Sequence, residues 1–368
     1  MKKTSIFLSV MIAGIFLVAS TRRTVSHGDG LVKGTPDIQS ISAISFGNNG
    51  ILFIGDSKMA TIFAVDTKDA KTNQKAAAVN MENIHEKIAA ALGTMKENVT
   101  ITDIAVNPMS KKVYIAVQHS SGSPAILKID NEKIMSLPLK DIKSSQIALN
   151  DVVEQDAKDQ RGRPLRVSTI TDIGFHNGKV LVSGLSNKEF GSTLRSIPFP
   201  FTNKQDQTSL EIYHTAHGRY ETAAPIKTFT TGKINGKDYL IASYTCTPLV
   251  LFPLDELKPG SHVKGRTVAE MGSGNTPLDM ITVKKGSESF LMMANTSKPL
   301  ARLNIKSIEA FEGTLTEKVS GTAGAGFDQL SLKDVLQLDR LDNDHVVMIQ
   351  KKSNGNIDLW TAADDNLQ

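Results

Sequence analysis

The sequence predicts an all-β chain, a six-bladed β-propeller with one short helical insertion. Three observations predict it. Six apolar, β-rich runs recur, starting at residues 51, 113, 180, 239, 290 and 346. Each run follows a turn-forming segment and precedes a shorter strand, so one unit of strand, turn, buried strand, loop and strand repeats six times. The 368 residues are 40% apolar and 22% charged with a formal charge of +4. That composition supports a sizeable core and argues against disorder. So small a charge is no nucleic-acid footprint.

The elements are read in order. Lys2 and Lys3 precede an apolar stretch from Ile6 to Ala19, and Val18-Ala19-Ser20 offers small residues at a cleavage spacing. Residues 1–20 therefore read as a secretory signal peptide, with 21–368 as a single propeller domain. The alternative is an uncleaved anchor, because Arg22 and Arg23 follow at once. Against it, a run of 14 residues is short beside the roughly 20 of a spanning helix. Cleavage removes Lys2 and Lys3 and no acid, leaving +2. The chain is expected in the periplasm or outside the cell, with no membrane span after cleavage. Its one cysteine, Cys246, has no partner for an internal disulfide, so the core must carry the stability.

The apolar runs are 51–54, 113–117, 180–182, 239–242, 290–293 and 346–349, and the strands that follow are 62–66, 126–130, 194–197, 249–252, 301–304 and 357–360. Turn signals precede each run, for example Gly47-Asn48-Asn49-Gly50 and His176-Asn177-Gly178. The run starts are 51 to 67 residues apart, longer than the roughly 40–45 of compact blades. The loops must therefore carry insertions. Met81–Leu92, with Ile84, Ile88 and Leu92 on one face, predicts a short amphipathic helix, and the polar stretch 154–163 predicts a second insertion. No room is left after Trp360 for a fourth strand in the last copy, so residues 31–41 are expected to pair with 357–360 and close the ring. A two-sheet sandwich is the competing architecture.

Gly47-Asn48-Asn49-Gly50-Ile51-Leu52-Phe53-Ile54-Gly55-Asp56 with Ile62-Phe63-Ala64-Val65-Asp66 resembles the blade motif of NHL and SMP-30-like six-bladed propellers. Ala105-Val106-Asn107-Pro108 before Val113-Tyr114-Ile115-Ala116-Val117 resembles it too. The chain is also similar to exported bacterial propeller proteins without assigned activity, through segments 184–190, 197–201 and 244–248. The resemblance implies a propeller. For function it implies a Ca²⁺-dependent, lactonase-like hydrolase as one reading. That family's metal site uses Glu, Asn and Asp from inner strands, and the inner positions here read mostly as Asp.

In a propeller the innermost strands line a channel, and the loops entering them share an upper face with the loops joining second to third strands. Thr102-Asp103-Ile104, Thr171-Asp172-Ile173, Leu278-Asp279-Met280 and Lys333-Asp334-Val335 each place an aspartate at the start of an inner strand, with Ser42 and Lys227 in the equivalent places of the other two copies. Asp103, Asp172, Asp279, Asp334 and Lys227 would then ring the channel mouth. Carboxylates this close raise one another's pKa values unless a cation offsets them, and Ca²⁺ suits such an oxygen-rich ring. An aspartate at a strand start also commonly bonds the backbone of its own turn.

The second constellation is His214-Thr215-Ala216-His217 with Tyr220-Glu221, opposite the loop Tyr244-Thr245-Cys246-Thr247-Pro248. His214, His217 and Cys246 suit copper or zinc, with Met271 or Met280 as a fourth ligand. They also suit a cysteine nucleophile with a histidine base, and a lone cysteine is often plain packing. Asn295 and the polar loops at 56–58, 119–122, 186–189 and 295–298 suit a polar ligand. No phosphate-cradling loop, G-x-S-x-G elbow, H-E-x-x-H or C-x-x-C-H occurs, and the Gly-rich 321–326 reads as a flexible connection. The function expected is an exported binding module that holds a small polar ligand or another exported protein on its upper face. The alternatives are a metal-dependent hydrolase and a copper- or zinc-handling protein.

Overall fold

The six apolar runs become the second strands of six small antiparallel sheets, and the strands after them become the third strands. The structure, a computed structural model, describes residues 30–73, 75–364 and 367. The leader assigned to residues 1–20 lies outside the described residues. Numbered by inner strand along the chain, the blades begin at Ala43–Phe46, Val99–Val106, Asp172–His176, Thr228–Ile234, Pro277–Lys285 and Val335–Arg340. Second strands such as Ile51–Asp56 are buried along their whole length because a blade packs on both faces. Among the described residues, no helix is long and apolar enough to cross a membrane.

The core is divided in the same way. Six apolar clusters each fill one interface between neighbouring blades. These clusters reveal a ring order that the sequence did not suggest. One joins blades one and three through Phe53, Ile62, Ile173 and Val182. Another joins blades two and six through Val113, Ile115, Val347 and Ile349. The order around the channel is one, three, four, five, six, two, and back to one.

The cause is an excursion of the chain. After the third strand of blade one, Thr61–Asp66, it leaves its sheet. It contributes Asn80–Met81 as the outer strand of blade six and builds all of blade two. It then returns as Ile142–Ala148, the outer strand of blade one. The expected closure by residues 31–41 is therefore corrected. The strand Ile357–Ala363 pairs with Asn80–Met81, and Val32–Gly34 pairs with Ile142–Ala148 on the rim of blade one. Burial explains the choice: Met81 and the helix residues Ile84 and Ile88 are buried between blades two and six.

A buried polar knot holds the crossing in place. Asp69 is only 7% exposed. Its Oδ2 accepts from Ser110 Oγ at 2.9 Å and Tyr114 OH at 2.8 Å, and its carbonyl accepts from Asn107 Nδ2 at 2.7 Å. Gly50 completes the knot. Its φ is +73°, and a Cβ there would lie 2.9 Å from the Asp69 carbonyl, so only glycine fits without displacement. The predicted helix forms over Ile84–Leu92. The polar stretch 154–163 is a loop of turns with one bridge, Lys158 to Pro164.

Candidate functional site

Two polar constellations emerge, one in the channel and one on the upper face. In the channel, Asp103, Asp172 and Asp279 occupy matching places on blades two, three and five, opposite Ala116, Ser183 and Ala294 of their second strands. Each bonds the same two kinds of donor. Oδ1 accepts from the next backbone N–H of its own strand, Ile104, Ile173 or Met280, at 2.7–2.8 Å. Oδ2 accepts from an N–H of the adjacent blade, Ile44, Phe229 or Leu338, at 2.7–2.9 Å. Every second blade thus clasps the next one.

The sixth blade departs from expectation. Asp334 is exposed, with φ +55°, and takes no part in the ring. A bulge after Val335 places Gln337 in the matching position. With its amide nitrogen turned towards them, Gln337 donates to Asp279 Oδ2 at 2.9 Å and Asp103 Oδ1 at 3.0 Å. That orientation is the one the surrounding acceptors require. Two residues further on, Asp339 accepts from Arg340 N and Val106 N, both at 2.6 Å. Sequence reading missed Asp339 because it assigned the strand start to Lys333-Asp334. The signal available was the turn at 341–344, directly after Leu338-Asp339-Arg340.

Burial is the main force on these carboxyls. It pushes Asp172 up to about 7 and Asp339 to about 6, against the lowering effect of their N–H donors. Burial, and then the charge of Asp279, hold Asp103 well above the usual range; burial does the same for Asp279, with Asp172 and Asp339 adding to it. All four line a cavity of about 390 Å³ that extends to the turns at Pro108, Lys111, Asp342 and Asn343. Those turns join first to second strands, so the cavity faces the side opposite to the one expected. Lys227 is not among its lining residues. It stands at the upper end of blade four, where burial and then the charge of Arg163 lower its pKa.

On the upper face, the outer strand of blade three, Asp206–His214, turns back into Arg219–Glu221. The turn carries both histidines. Gly218, at φ +67°, makes it tight, and a Cβ there would meet Lys318 at 2.9 Å. Thr215 donates to the buried Glu270 and its carbonyl accepts from Val319 N at 3.1 Å. Glu221 receives His214 Nδ1 on Oε2 at 2.8 Å and His217 Nδ1 on Oε1 at 2.7 Å. Burial would raise this carboxyl, but the two imidazoles and Arg219 outweigh it and hold it at about 2.

A carboxylate can only accept, so both Nδ1 atoms carry a proton, and in the neutral ring Nε2 is then the nitrogen with the lone pair. His214 is 2% exposed, and its Nε2 has no hydrogen-bond partner among the described residues. The third member comes from blade four. Cys246 and Thr247 both hold left-handed backbone, φ +68° and +58°, which a β-branched residue rarely adopts. The connection from blade four to blade five holds them there: Cys246 N donates to the Asn275 carbonyl at 2.7 Å, and Thr247 Oγ1 donates to the Gly272 carbonyl at 2.9 Å. One ligand atom from each of His214, His217 and Cys246 lies within 4.8 Å of the other two. Metal bonds of about 2.0–2.3 Å ask for closer spacing, by roughly 1 Å, which the exposed His217 can supply by rotation.

Met271 and Met280 do not join this cluster, because both side chains pack in the apolar interface of blades four and five. Asn295 is 4% exposed and accepts from Asn275 Nδ2 at 2.9 Å. It therefore braces the residue that holds the Cys246 loop. Asp56 is likewise committed, accepting from Gln39 N at 2.7 Å and Met59 N at 3.0 Å. Sequence reading placed Glu221 beside the histidines but gave it no role; its position seven residues after His214 is the spacing of a tight hairpin.

No protein-family profile matches the sequence, and no curated protein matches it. Among solved structures, a chain of a mitotic checkpoint complex is similar at 8% identity and TM-score 0.34, over 97% of this chain and all of that one. Raptor from Chaetomium thermophilum is similar at 13% identity and TM-score 0.34, over 91% of this chain and 26% of that one. A putative oxidoreductase (glucose dehydrogenase) from Thermus thermophilus is similar at 9% identity and TM-score 0.35, over 90% of this chain and 99% of that one. At these identities and scores the likenesses carry no argument about activity. The six-bladed propeller stands on the chain's own six sheets and six interfaces.

Proposed function

We propose that this chain is an exported propeller that binds a soft or borderline transition-metal ion on its upper face. His214, His217 and Cys246 are the ligands, and Glu221 positions both imidazoles. Two observations carry this reading together: His214 Nε2 is buried without a partner among the described residues, and one ligand atom from each of His214, His217 and Cys246 lies within 4.8 Å of the other two. A buried nitrogen left unpaired is unfavourable, and a carboxylate behind a ligating histidine is the usual outer shell of a metal site.

The same groups resemble a cysteine nucleophile with a histidine base and an orienting carboxylate. That reading uses one imidazole. The second, held by the same carboxylate, has a part in the metal reading and none in that one. The channel aspartates support a calcium site less well, because each of their oxygens already takes a backbone N–H.

The test is metal analysis of the purified, untagged protein, followed by titration with Zn²⁺ and copper. One equivalent should bind, and Cys246→Ser and His217→Ala should each weaken binding by more than 10-fold. Equal binding by the variants, or none by the parent chain, overturns the reading. The mass of the same sample should show that residues 1–20 have been removed.

A further inference from the structure

We infer that the ion this upper-face site selects is monovalent copper, held in three-coordinate geometry by His214 Nε2, His217 Nε2 and Cys246 Sγ. The inference rests on the metal reading above and deepens it. The first argument is the number of ligands. Both Nδ1 atoms are committed to Glu221, so each imidazole has only Nε2 to offer. The two nearby carboxylates are committed as well. Glu221 takes both imidazoles and Arg219 Nε at 3.2 Å. Glu270 takes the Thr215 hydroxyl and the Gly272 N–H. Met271 and Met280 point into the core between blades four and five.

Three protein donors are therefore what the fold presents. A structural zinc site closes with four, and a catalytic one adds water to three. Copper(I) is a soft d¹⁰ ion, stable with a thiolate and two imidazoles and with no fourth ligand, and thiolate softness favours it. Charge agrees. A monocation with the Cys246 thiolate is neutral, and Arg219 already sits against Glu221.

The geometry also sets the order of assembly. His214 is buried, Cys246 is half-buried, and the His217 side chain is 44% exposed. The ion reaches and leaves the site from the His217 side, so His217 is the ligand that controls exchange. His214 and Cys246 stay fixed by the hairpin and by the Asn275 carbonyl.

The experiment is an anaerobic competition on the full chain. Copper(I) is supplied from a copper(I) chelator of known affinity, with Zn²⁺ in 100-fold excess. X-ray absorption at the copper edge then counts the scatterers. One copper(I) per chain with two nitrogens and one sulfur is expected, unchanged by the zinc. His217→Ala lies at the surface and should leave the fold intact while speeding copper release at least 10-fold. If zinc displaces the copper, or the edge shows four ligands, the copper(I) inference falls and the metal reading survives. If neither ion binds, both fall.

Discussion

The channel ring and the upper-face cluster are both groups of titratable side chains brought together from distant parts of the chain, yet they are built in opposite ways. In the channel, every oxygen of Asp103, Asp172, Asp279 and Asp339 has a backbone N–H, one from its own strand and one from the next blade. On the upper face, Glu221 satisfies one nitrogen of each imidazole, and His214 Nε2 is buried without a partner among the described residues. The backbone beside that cluster is left-handed at Cys246 and Thr247, whereas the four aspartates lie within strands, Asp103 and Asp279 directly after a bulge. The lesson is that convergence of charge alone does not mark a site. Saturated groups hold a scaffold together, while an unsatisfied donor set held in place by left-handed, braced backbone is a place for a ligand.

Substitution can break that contrast directly. Asp103→Ala leaves the Ile44 and Ile104 N–H groups without their acceptor, and each orphaned buried group costs about 1–3 kcal/mol. The expected loss is about 2–6 kcal/mol, read as a lower urea midpoint at unchanged slope, with metal binding in the surviving folded protein unaltered. Cys246→Ser should do the reverse, with stability within about 0.5 kcal/mol and metal binding lost. An Asp103→Ala protein as stable as its parent would remove the channel clasp from the account.

Glu221→Gln sharpens the comparison at a smaller scale. The amide keeps one acceptor for two imidazole N–H groups, so one ring loses its fixed tautomer. Outer-shell losses of this kind weaken metal binding by about 10–100-fold, and the fall should appear in the same chelator competition. A variant that binds as tightly as the parent would show that the carboxylate does not position the ligands.

The most gradual expected effect is a slope with pH. Asp172 sits at about 7 and Asp339 at about 6 in the fold, against roughly 3.9 for an unfolded aspartate. The native state therefore binds more protons between these values. Stability from these groups is fully present below about pH 4 and is lost as pH rises through 6 and 7. Each group contributes less than about 1.4 kcal/mol per pH unit. Melting temperature should decline across that window, and Asp172→Asn should flatten the decline. A rise with pH in the same window would contradict the burial of these carboxyls.

Much of the architecture was legible in the chain itself. Apolar runs at 51–54, 113–117 and their four counterparts are second strands because a strand buried on both faces has to be continuously apolar. Their partners follow within a few residues, so hairpin chemistry pairs them locally. The helix at Ile84–Leu92 was visible from Ile84, Ile88 and Leu92. The pair His214 and His217 was visible as a metal-ligand spacing, and Cys246 as the soft donor nearest to it in the propeller scheme.

What only the tertiary structure decided was which distant segments share an edge, a register or a ligand set. Val79 bonds Thr361 across 282 positions, and no local pattern in residues 79–81 shows that they complete the last blade. The ring order of blades one and two depended on which apolar faces match, as in the Phe53 and Val182 interface. Gln337 takes the place expected of Asp334, after the same kind of bulge that precedes Asp103 and Asp279, and Asp339 joins the ring two residues further on because Val106 presents its N–H there. The role of Glu221 emerged only when its hairpin folded back onto both imidazoles. Periodicity and turn residues act over a few positions, so the sequence by itself determined the hairpins. Pairings between remote strands are settled by burial and by buried polar groups finding partners, and those are properties of the assembled ring.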